Sequence, residues 1–383
     1  TFRDFTRYHV GASTSLRVGS LLVGADYAFQ DGAILFYQLT PGNTRGALTT
    51  DKAEGARNAG VFATQELALG GDRWLLALGA RYDDITYDYR DHRNPALNDE
   101  RSFTGVTPKV GVTYRLAPQH SIYASVGGGI EAPAGNETDA VPPEDTVTAL
   151  NPLLDPIRST TYEIGTKRTW VLGESFVRAL SYDVALYQTN VKNEIIPYQG
   201  GRFYFTAGHA RRRGVELGGS VATNAGVALH AALTWNAHTY TEYVVDSVHY
   251  GVPGATADYS GNDIVGVPQF IGALGLDVTP TALRPVRVRL GVESSGSFFA
   301  DDANQVEVPS YRIANLSVGT DSPVWLGARF GVNAFVTVNN LFDSRYTASA
   351  FLNPDVVPGT TEPIAFEPGL PRTVVVGVSF VAR

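Results

Sequence analysis

The sequence predicts an all-β protein, a transmembrane antiparallel β-barrel of which about fifteen strands lie in this chain. Three observations support this fold class. Apolar and polar residues alternate with a period of two along many segments, as in residues 328–338. The connections between these segments alternate strictly between short and long. Glycine is frequent, with 40 residues, and aromatic residues make up 11% of the chain, which suits strands and turns better than helices.

The composition excludes several other classes of protein. The longest apolar runs, such as residues 74–78, are far too short for a membrane-spanning helix. If the chain lies in a membrane, only a closed barrel can satisfy its backbone hydrogen bonds there. There is no cysteine, which excludes disulfide bonds and thiolate metal sites. The net charge of −8 argues against nucleic acid as a partner.

Glycine, proline, asparagine and aspartate delimit the predicted strands. Short turns are predicted at residues 19, 70–72, 117–120, 172–174 and 223–225, and long polar connections at residues 31–56, 90–104, 129–159 and 244–266. The predicted strands are 5–18, 20–30, 57–69, 73–89, 105–116, 121–128, 160–171, 175–191, 203–222, 226–243, 267–278, 286–292 and 309–319, with a final pair within 327–346 and 372–380.

The segment 73–89 shows how such a strand fits a membrane wall. Trp74, Leu76 and Leu78 fall on one face, whereas Arg81 and Asp83 fall on the other. A tilted strand of about 9–11 residues is long enough to cross a bilayer. The sequence therefore predicts that the tryptophan face contacts lipid and that the charged face lines the lumen.

The alternation of connection lengths predicts the direction of the strands. Outer-membrane barrels have short periplasmic turns and long extracellular loops, and a soluble sandwich or propeller has no reason to keep its long connections at one end. The first predicted strand leads into a short turn, so it runs inward from the cell surface. Because such barrels have an even strand number with both ends in the periplasm, an odd count predicts at least one further strand upstream.

Several motifs resemble those of the TonB-dependent outer-membrane receptors. Asn339-Asn340-Leu341-Phe342-Asp343 with Tyr346 is similar to the family's C-terminal "v-N-L-F-D-x-x-Y" motif. The other matches are Thr107-Pro108-Lys109-Val110-Gly111 with the later Tyr123, Tyr162-Glu163-Ile164-Gly165-Thr166-Lys167, and Arg213-Gly214-Val215-Glu216-Leu217, together with Glu131-Ala132-Pro133, where Glu131 replaces the usual arginine. Gly266-Val267-Pro268 and residues 300–304 resemble the ferric dicitrate and pyrroloquinoline-quinone receptor branch.

The resemblance implies a barrel of twenty-two strands preceded by a plug domain. Residues 1–383 would be the C-terminal two-thirds of that barrel, with the plug, the TonB box and about seven strands upstream. The implied function is import of a scarce nutrient, above all an iron–siderophore complex, across the outer membrane by ligand capture and plug gating. The implied partners are outer-membrane lipid, a TonB-type energy-transducing complex and a small-molecule metal chelate or vitamin, with no cofactor and no enzymatic reaction.

Two other functions fit a barrel of this kind. A passive porin would conduct ions continuously, and a structural or scaffolding barrel would form part of a larger envelope assembly. A hydrolase with a Ser-His-Asn site in its wall is a third class, but the hydroxyl nearest His230 on its strand face belongs to Thr234, so no catalytic residue is assigned. His230 and His238 lie roughly 26 Å apart along one strand, too far to share a metal ion.

Candidate ligand-binding residues are sought near the outer ends of strands and in the long loops, since tyrosine and arginine suit a bulky anionic chelate. They are Arg90, His92, Arg93, Tyr198, Arg202 and Tyr204. The alternative is that these are solvated loop residues. The run Arg211-Arg212-Arg213 can attract an anionic siderophore or pair with acidic neighbours across the lumen. Asn339, Asn340 and Asp343 are expected to shape a strand-to-loop transition.

Overall fold

A computed structural model describes residues 1–133, 154–173, 175–198, 203–206, 208–245, 254, 256–354, 362–363 and 365–382. In chain order its strands are β1 (Phe2–Val18), β2 (Leu21–Thr40), β3 (Thr44–Leu69), β4 (Trp74–Asp91), β5 (Asp99–Ala117), β6 (His120–Glu131), β7 (Ile157–Val171), β8 (Val177–Lys192), β9 (Ile195–Tyr198), β10 (Phe203–Thr206), β11 (His209–Thr223), β12 (Val227–Glu242), β13 (Val244–Val245), β14 (Ala257–Asp258), β15 (Phe270–Val278), β16 (Val286–Ser295), β17 (Phe298–Phe299), β18 (Glu307–Val308), β19 (Tyr311–Thr320), β20 (Val324–Leu326), β21 (Phe330–Asn339), β22 (Thr347–Ala350), β23 (Phe366–Pro368) and β24 (Thr373–Ala382).

One antiparallel sheet of 16 strands follows the order of the chain. It consists of β1 to β8, β11, β12, β15, β16, β19, β20, β21 and β24. The short β20 pairs with the first residues of β21, on the same edge as β19, so β19 and β20 together count as one wall strand. The prediction of about fifteen membrane strands with neighbours adjacent in sequence is confirmed.

The two faces of the sheet differ as the alternation predicts. Val61, Tyr82 and Val106 are paired across three neighbouring strands, and all three are exposed on the outward face. On the opposite face, Arg81 binds both oxygens of Asp26, at 2.7 Å and 2.9 Å. The polar face therefore lines the lumen, and Arg81 and Asp26 are paired there.

Aromatic side chains mark the periplasmic border of the outward face. The rings of Trp74 and Tyr114 lie 4.5 Å apart, and those of Trp170 and Tyr182 lie 5.6 Å apart. The guanidinium of Arg168 sits 4.2 Å from the Trp170 ring. Such a girdle places amphipathic rings at the lipid–water boundary. The turn at Gly70, Gly71 and Asp72 closes just below it with three left-handed residues, at φ values of 63°, 67° and 66°.

Two predicted loops are wrong, because the strands continue far beyond the membrane. Residues 31–56 are not a connection: β2 runs to Thr40, β3 begins at Thr44, and a tight turn with Gly42 and Asn43 at positive φ joins them. Likewise β4 reaches Asp91 and β5 begins at Asp99, so most of the predicted loop 90–104 is strand. Above the lipid both faces contact water, so these extensions lose the outward apolar residues that signal a membrane strand.

The predicted strand 203–222 is also interrupted. Phe203–Thr206 forms a separate hairpin with Ile195–Tyr198, and the wall strand begins only at His209. Over the described residues, β1 pairs only with β2 and β24 only with β21, so both edges of the sheet are free. No helix among the described residues is long and apolar enough to span a membrane, and the predicted connection 129–159 falls largely outside those residues.

Candidate ligand-binding wall

The inner face of the extended strands carries alternating cations and aromatic rings. The side chains concerned, called here the inner wall, are Arg3, Phe36, Lys52, Tyr89, Arg101 and Phe103. By the strand register they lie on the same face of the sheet as Arg81 and Asp83, which line the lumen nearer the periplasm. The wall therefore faces the inside of the barrel, in the part that lies above the membrane.

Each cation of the inner wall lies over an aromatic ring. Arg3 is 5.3 Å from the centroid of Phe36, Lys52 is 5.0 Å from that of Tyr89, and Arg101 is 5.2 Å from that of Phe103. Cation–π contacts of this length hold the charge in place without neutralising it. The wall can therefore present positive charge and flat rings to a ligand in the lumen.

Carboxylates contact two of these cations. Lys52 Nζ lies 2.7 Å from Glu54 Oε1, and Arg7 Nη2 lies 3.9 Å from the other oxygen of the same carboxylate. Arg101 contacts Asp155 at 3.3 Å. Glu54 is thus shared by two cations, and the wall suits an anionic, aromatic or bulky chelate.

A second inner cluster lies on β8, β11 and β12. The hydroxyl of Tyr187 donates a hydrogen bond to Asn236 Oδ1 at 2.8 Å and lies 3.2 Å from His238 Nε2. Nearby, Arg212 pairs with Glu194, and burial raises the pKa of the Glu194 carboxyl above its ordinary value. Arg212 Nε, His238 Nδ1 and Glu194 Oε2 have no hydrogen-bond partner among the described residues. This cluster can therefore still donate and accept hydrogen bonds.

The extracellular segments above this cluster form a small core of their own. It contains Val191, Ile196, Phe205, Ala210, Tyr240, Tyr243, Val245 and Ile264. Its polar centre is Asp302, which is only 5% exposed and accepts hydrogen bonds from Tyr240, Tyr243 and Asn353. Burial raises the pKa of the Asp302 carboxyl to about 6. Several loops are thereby joined into one body over the lumen.

Three of the predicted ligand residues hold neighbouring strands together. Arg90 pairs with Asp31 at 2.5 Å and with Asp88 at 2.9 Å. His92 lies 2.8 Å from Asp51, and Arg93 donates to the carbonyl of Leu48 at 2.6 Å. Arg90 shares strand parity with Tyr82, so it belongs to the outward face. These three side chains therefore make contacts between strands, which neither the ligand-binding prediction nor the alternative of a solvated loop residue included.

Two of the other three predicted residues lie in the β9–β10 hairpin. Tyr204 is half-buried there, the backbone of Tyr198 pairs with Phe203, and Arg202 lies outside the described residues. As ligand-binding residues, all six stay predictions. Of the arginine run, Arg212 pairs with an acid at the inner face as one alternative expects, whereas Arg211 and Arg213 point the other way.

The C-terminal motif shapes the chain locally. Asn340 is 3% exposed, has φ 49°, and its side chain bonds Ser344 twice and the carbonyl of Leu370 once. Asp343 Oδ1 accepts from the backbone of Arg372 at 2.8 Å. Leu341 donates its amide to the carbonyl of Ala314, Phe342 is exposed, and the ring of Tyr346 packs 4.8 Å from that of Tyr311. The motif thus closes the loop between β21 and β24.

Sequence reasoning missed the inner wall because it placed Phe36 and Lys52 in a loop. The available signal was the turn sequence Pro41-Gly42-Asn43 between two segments of similar length. Within the described part of the chain, no group of three His, Cys, Asp or Glu residues is arranged to hold a metal ion.

The fold and the polar lumen face define a class: a membrane-spanning β-barrel of the bacterial outer membrane. Residues 1–341 match the family described as TonB dependent receptor-like, beta-barrel, so the chain belongs to that family. The resemblance drawn from the C-terminal motif is confirmed, whereas the finer assignment to the dicitrate and pyrroloquinoline-quinone branch stays a prediction.

The curated relatives are named as receptors or transporters. The ferrioxamine receptor of Yersinia enterocolitica is 26% identical over 91% of this chain and 44% of its own length. The ferrichrome outer membrane transporter/phage receptor of Escherichia coli K12 is 27% identical over 73% of this chain and 34% of its own length. The chain therefore spans less than half of each.

Solved structures agree in fold. The siderophore receptor PiuA from Acinetobacter baumannii superposes with a TM-score of 0.70 at 19% identity, covering 100% of this chain and 56% of PiuA. The ferric yersiniabactin uptake receptor FyuA from Yersinia pestis gives a TM-score of 0.69 at 17% identity, covering 100% of this chain and 54% of FyuA. At these identities the likeness establishes the fold alone.

Proposed function

We propose that the protein imports an iron–siderophore complex across the outer membrane, powered by a TonB-type complex. The observation that carries this proposal is the inner wall, where three cations lie over aromatic rings on the lumen face of a barrel of this family. Ferric chelates of this class are bulky, often anionic and often aromatic, and such a surface binds them by charge-assisted hydrogen bonds and stacking. The work is selective binding and gating, with no catalysed reaction.

We also propose that residues 1–383 form the C-terminal part of a larger barrel with a plug upstream. The sheet supports this, since the outer edge of β1 leaves a row of backbone groups without partners among the described residues. An open edge is not tolerated in the hydrocarbon region of a membrane, so further strands must close the barrel. The partial coverage of the curated relatives agrees with this division.

The intact mass of the protein purified from membranes tests this division. The proposal predicts a mass well above 41.1 kDa, with a plug-sized segment before Thr1. A mature chain of 41.1 kDa would contradict energised uptake and would favour a scaffolding barrel completed by a partner. Planar-bilayer recording of the same sample tests the porin alternative, because a plugged receptor is closed at rest whereas a porin conducts steadily.

A further inference from the structure

A dense group of basic side chains occupies the outward face of β7, β8 and β11. It consists of Arg158, Lys192, His209, Arg211 and Arg213, called here the outer patch. Its position follows from the register. Ile164, Leu186, Val215 and Trp235 form one row across four strands, and three of them are about half exposed, as expected of lipid-facing residues.

The next rows toward the cell surface become basic. Two residues beyond Val215 on the same face lies Arg213, and two residues further lies Arg211. One more step brings a row in which Arg158, Lys192 and His209 are directly paired. At about 3.3 Å per residue and a tilt of roughly 40°, the first two basic rows lie about 5–10 Å above the apolar row. The row of Arg211 also contains Thr160, which lies ten residues along β7 from the periplasmic girdle residue Trp170, or roughly 25 Å, and this matches the height of the apolar band of such barrels. Arg211 and the row beyond it therefore lie at the level of the extracellular headgroups.

Among the described residues, only His209 of the outer patch contacts a carboxylate. Direct pairing of like charges such as Arg158 and Lys192 destabilises a sheet. The carboxylate of Glu242 contacts His209 at 3.1 Å, but Lys192, Arg211 and Arg213 have no ion-pair partner among the described residues. Arg211 Nε is buried and lacks any hydrogen-bond partner there. An external anion would supply what these groups lack.

Another part of the same outward face shows the opposite arrangement. On β3 and β4, Arg57 contacts Glu100 at 3.2 Å, and Arg90 pairs with Asp31 and Asp88. Among the described residues, outward arginines on one side of the sheet are therefore paired with carboxylates, whereas Arg211 and Arg213 on the other side are not. The difference argues that the outer patch is built for a partner and is not merely a solvated surface.

We propose that the outer patch binds the phosphate groups of lipids in the outer leaflet of the surrounding membrane. Arginine suits phosphate because its planar fork can donate two parallel hydrogen bonds, and clustered cations at the headgroup level attract anionic lipid. A lipid phosphate would reduce the repulsion between Arg158 and Lys192, and one of its oxygens would accept a hydrogen bond from Arg211 Nε. This inference rests on the position of the barrel in the membrane and is independent of what the lumen transports.

The first test compares lipid retained by the full-length protein after purification in a mild detergent. In the variant K192Q/R211Q/R213Q we expect tightly bound lipid phosphate to fall about fivefold or more. The matched control is Arg178→Gln, which removes an exposed outward arginine at the periplasmic end and should leave retention within about twofold. Equal retention by the triple variant and the unmodified protein would overturn the proposal. Electrophoretic mobility before and after heating shows that each barrel is folded.

A second measurement needs no variant. The unmodified protein is mixed with micelles containing a phosphorylated outer-leaflet glycolipid, or the same lipid after phosphatase treatment, and its thermal unfolding is followed. The phosphorylated lipid should raise the unfolding midpoint by several degrees more than the dephosphorylated one. The same midpoint with both lipids would contradict a phosphate site at the outer patch, even if the triple variant failed to fold.

Discussion

Tyr243 donates its hydroxyl hydrogen to Asp302 Oδ2 at 2.6 Å, and both residues are buried. This contact joins the segment after β12 to the loop between β17 and β18. The amide of Asn353 bonds the same oxygen at 2.9 Å and also reaches the carbonyl of Pro197 at 2.8 Å. One carboxylate thus connects extracellular segments that are far apart in the chain.

Removing this carboxylate should loosen the loops without unfolding the barrel. In Asp302→Ala, Tyr240, Tyr243 and Asn353 lose a charged acceptor, and each such bond contributes about 1.5–3 kcal/mol. We expect amide hydrogen exchange around residues 240–245 and 300–306 to accelerate by a factor of 10 or more, roughly. The neighbouring exposed carboxylate gives the control Glu307→Ala, which should leave exchange unchanged. Slow exchange in Asp302→Ala would show that the apolar core alone holds the loops.

The stability of the loop body should depend on pH through Asp302. Its pKa in the folded loops is about 6, above the ordinary 3.8, because burial disfavours the charged form. The folded state therefore binds the proton more tightly than the open state. The stabilisation is complete below about pH 4 and is lost as the pH rises through about 6.

Protease resistance of the loops measures this effect. Between pH 7.5 and pH 5 it should increase by roughly tenfold in the unmodified protein. Asp302→Asn cannot titrate at this position, so its resistance should change little over the same range. An identical pH dependence in both proteins would assign the effect to another group.

The inner wall should control affinity for a ferric chelate. The variant R3Q/K52Q removes two cations of the inner wall, and a hydrogen bond from such a cation to an anionic ligand contributes about 1.5–3 kcal/mol. We expect the Kd for the bound chelate to rise by about tenfold or more, as measured by fluorescence quenching with a panel of ferric hydroxamates and catecholates. Arg17→Gln, on the same face of β1 near its periplasmic end, is the control and should leave Kd unchanged. A Kd unaffected in R3Q/K52Q would remove the inner wall from the binding site.

The C-terminal motif should be needed for stability. Asn340→Ala removes three side-chain bonds at a buried position with φ 49°, and an unsatisfied buried group costs about 1–3 kcal/mol. We expect the urea midpoint of unfolding in micelles to fall clearly. Asn339→Ala loses one bond, to Thr373 at 3.3 Å, and should have a smaller effect. Equal midpoints in the two variants would mean that Asn340 does not fix the loop.

The sequence was sufficient to predict the membrane-spanning strands of the barrel but not the candidate ligand-binding site. Alternation such as that of Trp74, Leu76 and Leu78 is imposed by lipid on one face and water on the other, so membrane strands could be located within a few residues. Above the lipid that constraint ends, so the strand segments that carry Phe36 and Lys52 have no alternating pattern and were predicted as a loop. The contacts of Asp302 join residues more than 50 positions apart, such as Asn353 and Tyr243, and no local pattern specifies such pairings.

The most direct test of the central claim is uptake of radiolabelled ferric siderophore by iron-starved cells that produce the full-length protein. We predict accumulation that is lost when the gene is deleted, and also when the TonB-type complex is inactivated or the proton gradient is collapsed. Accumulation that continues without the energy source would contradict gated import and would instead indicate a passive channel.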